Sequence, residues 1–134
     1  MEQSIRDSFD RQALMRTLGA SLDEVAQGRT VISMPISPSV TQQHGVAHAG
    51  ATFAIGDSAC GYAALTLMPT GSEVMTVEMK INLIAPATGT RLIAIGEVIK
   101  SGRRLSVTRC TVQTEAEDGS RKDVAILQGT MIPV

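Results

Sequence analysis

The chain has 134 residues, a length that suits one domain spanning residues 1–134 with a real hydrophobic core. Hydrophobic residues make up 43% and charged residues 19%, which is typical of a globular protein rather than a disordered one. Lys and Arg number 12 against 13 Asp and Glu, and the aromatic residues are one Tyr and two Phe, so neither charge nor base stacking favours nucleic acid as a partner.

The N-terminal part predicts a helix followed by two strands. In about residues 2–18 the apolar side chains recur at near-helical spacing among charges, and Gly19 is a suitable C-cap, which predicts a short amphipathic surface helix. The pattern becomes strand-like over 20–36, with a turn at Gln27-Gly28. A loop rich in Ser, Pro, Thr and Gln, from about 38 to 47, leads to the next element.

The very apolar stretch 48–68 predicts a buried helix, which ends where a Pro-Thr-Gly sequence begins at Pro69. The stretch reaches membrane-spanning length, but Asp57, its other polar residues and its glycines disfavour a membrane span. Charges of both signs near the N-terminus argue against a secretory signal, and Cys60 and Cys110 are expected to be reduced core residues. The sequence therefore predicts a soluble, cytoplasmic protein.

Four long strands are predicted after this helix, at about 73–85, 90–100, 104–116 and 122–132, with turn residues between them. Adjacent strands joined by short turns are expected to pair antiparallel. The expected fold class is α+β, with a six-stranded antiparallel sheet wrapped around one long central helix and a short N-terminal helix. The exposed edges of such a sheet favour pairing with a second copy.

Asp57 is the single acid of the predicted buried helix. An ionised carboxylate is expensive to bury unless something compensates it or uses it. Asp57 either forms structural hydrogen bonds in a helix interface or carries a function, and its isolation among apolar residues favours the second interpretation.

Two short sequences around this acid carry a family signature, QQHGVAHAG from Gln42 to Gly50 and DSACGYA from Asp57 to Ala63. Together they resemble the signature of hotdog-fold acyl-CoA thioesterases of the phenylacetic-acid-degradation, or PaaI-like, type. The predicted order of elements is also similar to that of a hotdog domain, so the resemblance covers almost the whole chain.

The resemblance implies a site made of a loop amide, a histidine, the residue after it, the helical acid, and a Ser or Thr on the following strand. These positions are Gln42, His48, Ala49, Asp57 and Thr76. The family commonly has Asn at the first position and Gly at the third. Because the third position supplies its backbone N–H, Ala49 is expected to preserve the chemistry. The resemblance implies no cofactor and no metal.

Thioester hydrolysis needs donors for the oxygen that becomes negative, and the N–H groups at a helix start provide them. Ala49, together with Gly50, is placed for this role, and Asp57 can act as a general base or as a nucleophile. Ala49 and Asp57 lie roughly 12 Å apart along one helix, at about 1.5 Å per residue. One carbonyl cannot touch both, so the acid is expected to come from another chain of at least a homodimer, and a homotetramer is expected.

Other interpretations remain open for several of these residues. His48 either lines the site or caps the helix, and Gln42 either contacts the substrate or satisfies loop backbone groups. Thr76 is either a holder of the attacking water or an ordinary β-branched strand residue. His44, His48 and Asp57 are metal-ligand types, but His44 lies in the loop and Asp57 is more than two helical turns beyond His48, which disfavours a metal centre.

Arg103 and Arg104 lie at a tight turn between two predicted strands. They either belong to a solvated hairpin or bind the phosphates of coenzyme A, for which arginine offers bidentate contacts.

The sequence thus predicts an acyl-CoA thioesterase that hydrolyses an aryl or short- to medium-chain acyl-CoA. One alternative is a non-catalytic protein of the same fold that binds acyl-CoA or an aromatic ligand, although binding alone would not require Asp57. Another is a hotdog hydratase or dehydratase, which would use an Asp and His pair placed for proton transfer at an enoyl carbon.

Overall fold

The computed structural model describes residues 1–134. Numbered in chain order, its helices and strands are α1 (Glu2–Asp10), α2 (Ala13–Leu18), β1 (Ser21–Ala26), β2 (Arg29–Pro35), a short 3₁₀ helix (Pro38–Val40), α3 (Ala49–Leu65), β3 (Val74–Leu83), β4 (Arg91–Ser101), β5 (Ser106–Glu115) and β6 (Arg121–Pro133).

The six strands form one antiparallel sheet in the order β1-β2-β4-β5-β6-β3. Helix α3 packs across one face of this sheet and contacts every strand from β2 to β6. The α+β architecture, with a six-stranded antiparallel sheet around a long central helix, is therefore confirmed. The bounds predicted for the last four strands differ from those observed by one or two residues at each end.

The connection between β3 and β4 is not the hairpin that the sequence predicts. Strand β3 pairs with β6, and β4 pairs with β2, so the chain crosses the end of the sheet between them. Residues 84–90 can span about 23 Å, whereas three strand spacings need only about 14 Å. The prediction that consecutive strands pair was wrong for β3 and β4. Residues 84–90 are long enough to carry the chain past the two strands that lie between them, β5 and β6.

Helix α3 lies unusually close to β2 and β4 because small residues face each other there. A Cβ on Gly96 would come within 2.5 Å of the backbone of Ala59, so only glycine fits at this position of β4. On β2, the buried Thr30 donates a hydrogen bond of 2.7 Å from Oγ1 to the carbonyl of Ala59. These contacts fix the height of α3 above the sheet, and with it the position of the acid two residues earlier.

The N-terminal helix expected over 2–18 is in fact two helices, since the chain turns between Asp10 and Ala13. Gln12 has an extended backbone there, with φ −79° and ψ 104°, and its Nε2 donates a hydrogen bond of 2.8 Å to the hydroxyl of Tyr62 on α3. The predicted C-cap is confirmed, because Gly19 adopts a left-handed conformation with φ 68°. The break therefore coincides with a tertiary contact, which helical spacing does not encode.

Helix α3 ends three residues before the predicted end. The C-cap Thr66 donates a hydrogen bond of 2.6 Å to the carbonyl of Ala63 and accepts one of 2.7 Å from the N–H of Gly28. No helix of the chain has both the length and the apolar character needed to cross a bilayer. Cys60 and Cys110 are buried free thiols, and the neighbouring Cys60 thiol and burial raise the pKa of Cys110.

Strands β1 and β3 are the two edges of the sheet. Most of β3 is exposed, and it carries large apolar side chains in contact with solvent: Met75, Val77 and Leu83 are 59%, 56% and 56% exposed. Such an edge has unpaired backbone groups along its outer side and an apolar surface beside them.

Candidate active site

The start of α3 is capped by the side chain of the residue before it. His48 Nδ1 accepts a hydrogen bond of 2.7 Å from the N–H of Gly50. The carbonyl of His48 accepts from the N–H groups of Ala51 and Thr52, at 3.0 and 3.2 Å. Of the first four N–H groups of the helix, only that of Ala49 has no acceptor.

This cap decides between the two backbone donors predicted at the helix start. While His48 holds the N–H of Gly50, that group is not available to a substrate oxygen, whereas the N–H of Ala49 is. Because Nδ1 acts as an acceptor, the proton of a neutral His48 imidazole is on Nε2, which leaves a second donor at the exposed end of the ring. His48 is thus a cap, and its outer nitrogen remains free.

Gln42 holds the loop that precedes α3. Its Oε1 accepts a hydrogen bond from the N–H of His44, and its backbone N–H donates to the carbonyl of Val46 at 2.9 Å. Its own carbonyl accepts from Gly45 at 3.0 Å, where the backbone has φ 81°. Gln42 therefore satisfies loop backbone groups, as one of the two interpretations expects, and its amide nitrogen keeps both hydrogens free.

The loop and the start of α3 border a cleft of about 600 Å³, which we call the helix-start cleft. Its opposite wall is formed by the end of β3 and the crossing to β4. The lining residues are Gln42, Gln43, Val46, Ala47, His48, Ala49, Thr52, Leu83, Ile84, Ala85, Pro86, Ala87 and Val124.

Asp57 lies half-buried on α3 and is held by the adjacent edge strand. Its Oδ1 accepts a hydrogen bond of 2.7 Å from Oγ1 of Thr76 on β3. Burial raises the pKa of Asp57, and the hydrogen bond from Thr76 acts in the opposite direction. Because Thr76 uses its only proton on Asp57, its oxygen can accept a hydrogen bond from a water but cannot donate one to it.

Asp57 and Thr76 open into a second cavity of about 200 Å³, which we call the acid pocket. It lies between α3, the start of β3 and the junction of α1 and α2. The lining residues are Ser8, Gln12, Asp57, Ser58, Gly61, Tyr62, Glu73, Val74, Thr76 and Met131. Ser8 and Gln12 were not predicted from the sequence, because the break that brings the N-terminal helices here has no local sequence signal.

The helix-start cleft and the acid pocket have no lining residue in common. This separation follows from their positions on α3, since Ala49 and Asp57 are roughly 12 Å apart along the helix axis. One chain therefore brings Gln42, His48 and Ala49 together at one cleft, with the N–H of Gly50 bound to His48 beside it, and Asp57 and Thr76 together at another.

Arg103 and Arg104 lie in the turn between β4 and β5 and are exposed. Neither takes part in an ion pair, whereas Arg91 and Arg121 both bind Glu115, at 3.0 and 3.1 Å. The hydrogen bonds from Arg91 and then from Arg121 lower the pKa of the Glu115 carboxyl. Arg103 and Arg104 are thus two free cations at this turn.

The turn lies at the same end of the sheet as the acid. Ser106, the first residue after the turn region, pairs with Met131, and Met131 pairs with Thr76.

Nowhere in the chain do three or more His, Cys, Asp or Glu side chains converge on a point where they could hold a metal ion. Of the three residues considered as metal ligands, His44, His48 and Asp57, the first is exposed in its loop.

Comparison with protein families gives a match to the thioesterase superfamily over residues 44–119. The matched segment includes the start of α3, the acid on the same helix and Thr76.

Comparison with solved structures gives relatives over nearly the whole length. A thioesterase family protein from Silicibacter pomeroyi is 43% identical, with a TM-score of 0.96, over 99% of this chain and 97% of that one. A mutant of a thioesterase from Staphylococcus aureus is 28% identical, with a TM-score of 0.82, over 91% and 98%. A mutant of the phenylacetic acid degradation protein PaaI from Thermus thermophilus is 25% identical, with a TM-score of 0.78, over 92% and 100%.

The sheet wrapped around α3 is a hotdog fold, and the protein is a thioester hydrolase. The chain belongs to the thioesterase superfamily, and within it to the PaaI-like type that its motifs predict.

Proposed function

We propose that the protein hydrolyses the thioester of an aryl or short- to medium-chain acyl-CoA to the free acid and coenzyme A, with Asp57 as the catalytic carboxylate. The observation that carries this proposal is the pairing of a half-buried carboxylate of raised pKa with Thr76, on the same helix as a backbone N–H that has no acceptor. The first group activates a nucleophile, and the second receives negative charge.

In the reaction, Asp57 accepts a proton from water as the water oxygen bonds to the thioester carbonyl carbon. The carbonyl oxygen becomes negative and accepts a hydrogen bond from the N–H of Ala49, where the positive end of the helix dipole adds to the stabilisation. The C–S bond then breaks, and the thiolate of coenzyme A takes the proton that Asp57 accepted, which restores the carboxylate. Alternatively, Asp57 attacks the carbonyl carbon first, the C–S bond breaks and the thiolate of coenzyme A leaves with a proton from solvent, and water then hydrolyses the resulting anhydride.

His48 and Gln42 contribute to this reaction through their remaining donors. His48 fixes the first turn of α3 and leaves the N–H of Ala49 without an acceptor, and it offers Nε2–H to the carbonyl side of the substrate. Gln42 holds the loop beside it and lines the helix-start cleft, where its free amide nitrogen can donate to the substrate. Thr76 orients the carboxylate of Asp57 and can accept a hydrogen bond from the attacking water.

The proposal requires at least a homodimer, because one chain separates Ala49 from Asp57. A twofold axis next to the edge strand β3 would place the acid pocket of one chain against the helix-start cleft of the other. Three features of β3 support this arrangement: it is an edge strand, its apolar side chains Met75, Val77 and Leu83 are exposed, and it carries Thr76. We expect a homotetramer of two such dimers, and light scattering tests both levels of assembly.

Arg103 and Arg104 are proposed to bind the phosphates of coenzyme A, since both are exposed, both lack an ion-pair partner and both lie at the acid's end of the sheet. Replacing both with Ala is expected to raise KM for an acyl-CoA but not for the matching acyl-pantetheine thioester, which lacks the nucleotide. Arg121→Ala, which removes an arginine already bound to Glu115, is the control. An equal effect on both substrates would refute this assignment.

The test of the catalytic assignment is Asp57→Asn. It should abolish thiol release from acyl-CoA while leaving the binding of a non-hydrolysable thioether analogue intact, as measured by calorimetry. Asp123→Asn, an exposed Asp on β6 that borders neither cavity, is the matched control. Retained turnover in Asp57→Asn, or loss of binding equal to the loss of turnover, would count against the assignment.

A further inference from the structure

The wall of the acid pocket that faces away from the sheet is polar. Its residues come from α1, from α3 and from the break between α1 and α2. Gln12, at the break between α1 and α2, donates from Nε2 to the hydroxyl of Tyr62 at 2.8 Å. The hydroxyl of Ser8 on α1 lies 3.0 Å from that of Tyr62. On α3, Ser58 donates to Oε1 of Gln12 at 3.4 Å, a long and weak hydrogen bond.

Two hydrogens of this wall have no acceptor in the protein. The hydroxyls of Ser8 and Tyr62 have two hydrogens between them, and their mutual hydrogen bond uses only one. Gln12 has two hydrogens on Nε2 and donates one of them to Tyr62. At least one hydroxyl hydrogen and one amide hydrogen therefore remain without a protein acceptor beside the cavity.

Two carboxylates in the lining of the acid pocket disfavour a negatively charged occupant. Glu73 also lines the acid pocket, and its carboxylate is only loosely paired with Arg11, at 3.9 Å with both side chains more than half exposed. Asp57 adds a second carboxylate to the lining. A neutral oxygen accepts from the free donors without bringing a third negative charge near these two groups.

The cavity is large enough for a substituted acyl group. Its volume of about 200 Å³ is close to that of seven water molecules in the liquid, which is also the space that a six-carbon chain or ring with one or two substituents fills. Its apolar lining is limited to Val74 and Met131 near Thr76 and to the ring of Tyr62. A purely hydrocarbon acyl group would leave the donors of Ser8 and Gln12 without acceptors.

We propose that the acyl group of the substrate carries a neutral oxygen, as a hydroxyl or a carbonyl, and that Gln12 is the residue that selects for it. This inference rests on the proposed function, since it takes the acid pocket as the place where the acyl group binds. Gln12 presents its free amide hydrogen to the oxygen, and the Tyr62 and Ser8 hydroxyls hold the amide in place and provide the second donor.

The test is a series of substrates that differ in the position of one hydroxyl: hexanoyl-CoA with a hydroxyl at C3, C4, C5 or C6, and benzoyl-CoA with a hydroxyl at each ring position. One or two of the hydroxylated esters are expected to exceed the unsubstituted parent in kcat/KM by about tenfold, the amount that one or two well-placed hydrogen bonds provide. In Gln12→Met, which keeps the length of the side chain, this ratio should fall to about one.

Gln3→Met is the matched control, because Gln3 lies on the same N-terminal unit, bonds only to Asp7 and borders none of the acid pocket. It is expected to keep the wild-type ratio. Tyr62→Phe is the second variant: it removes the hydroxyl that holds Gln12 but keeps the ring that packs edge-on against Phe9, at 6.2 Å between ring centres. It should lower the ratio as well, while circular dichroism reports a folded protein.

The possible outcomes distinguish a failure of this inference from a failure of the proposed function on which it rests. If no ester in the series releases coenzyme A, the proposed function fails. If the parents are hydrolysed but no hydroxyl position improves kcat/KM, or if Gln12→Met and Gln3→Met give the same ratio, the selection by Gln12 is refuted while the thioesterase assignment stands.

Discussion

Thr76 on β3 donates a hydrogen bond of 2.7 Å to the carboxylate of Asp57 on α3. This single contact joins the central helix to the edge of the sheet at the proposed catalytic group. It also opposes the rise in the pKa of Asp57 that burial causes, because it stabilises the charged form of the carboxylate. The two residues together set the pH range in which the acid can act as a base.

Removal of the Thr76 hydroxyl should therefore change the pH profile. In Thr76→Val the pKa of Asp57 is expected to rise further, since burial remains and the opposing hydrogen bond is lost. The acid limb of kcat/KM, measured by thiol release, should then move to higher pH, because hydrolysis needs the ionised carboxylate. Thr76→Ser keeps the hydroxyl and should keep the wild-type limb. A limb that stays in place in Thr76→Val would contradict this role.

The raised pKa of Asp57 also has a consequence for stability. A carboxyl whose pKa is higher in the folded protein favours folding when it is protonated, and this contribution is lost as pH rises from the unfolded pKa through the folded one. Asp57→Asn is thus expected to raise Tm relative to wild type at pH 7, and to raise it less at a pH below the unfolded pKa of Asp. Thermal unfolding followed by circular dichroism measures both. An equal difference at the two pH values would contradict the expectation.

Ala49 can be tested by removing only its N–H. As the first residue of α3, it is a position that accepts proline, and His48 before it already has the extended backbone that proline requires, with φ −63° and ψ 138°. Ala49→Pro should lower kcat by about 10²–10³-fold, the usual loss for one oxyanion donor, with little change in Tm. Ala49→Ser retains the N–H and is expected to keep kcat near wild type. Full activity in Ala49→Pro would exclude the N–H as the oxyanion donor.

A site shared between chains predicts complementation. In a mixed dimer of Asp57→Asn and Ala49→Pro chains, one of the two sites contains an intact Ala49 from the first chain and an intact Asp57 from the second. Refolding the two inactive variants together in equal amounts should restore about a quarter of wild-type activity, since half of the dimers are mixed and each has one working site. If the catalytic groups act within a single chain, the mixture will stay inactive.

Two glycine substitutions, one on β4 and one on α3, are expected to change the free energy of unfolding in opposite directions. Gly96→Ala places a Cβ 2.5 Å from the backbone of Ala59 and should lower the free energy of unfolding by about 1–3 kcal/mol or more. Gly61→Ala meets nothing closer than 3.9 Å and lies inside α3, so it should raise the same quantity by up to about 1 kcal/mol. Urea unfolding measures both, and a Gly96→Ala protein as stable as wild type would show that α3 can shift away from the sheet.

The sequence predicts most of the fold because its elements are long and regular. The alternation in β3 to β6 and the largely apolar character of α3 are local signals, and the observed bounds follow them closely. The pairing of β3 with β6 depends on the path of the whole chain, so no local pattern contains it. The break at Gln12 is of the same kind, because the residue that Gln12 contacts there, Tyr62, lies fifty residues away in the sequence.

The candidate site is predictable in part, for similar reasons. Asp57 is conspicuous because it is charged within an apolar helix, and motif spacing indicates His48 and Ala49. The cap that His48 places on Gly50 is a matter of side-chain geometry, and so is the choice of Ala49 as the free donor. Ser8 and Gln12 lie in an amphipathic segment whose pattern resembles any surface helix, so only the folded arrangement reveals that they border the acid.

Strand β3 is held on only one side within the chain, by β6. The orientation of the Asp57 carboxylate thus depends, through one hydroxyl, on an edge strand of the sheet. Fraying or straightening of this edge strand changes the orientation of the Asp57 carboxylate, while the core around α3 remains intact. Loss of activity on dilution or mild heating is accordingly expected to precede loss of helical signal, because the strand that orients the acid can loosen before the fold does.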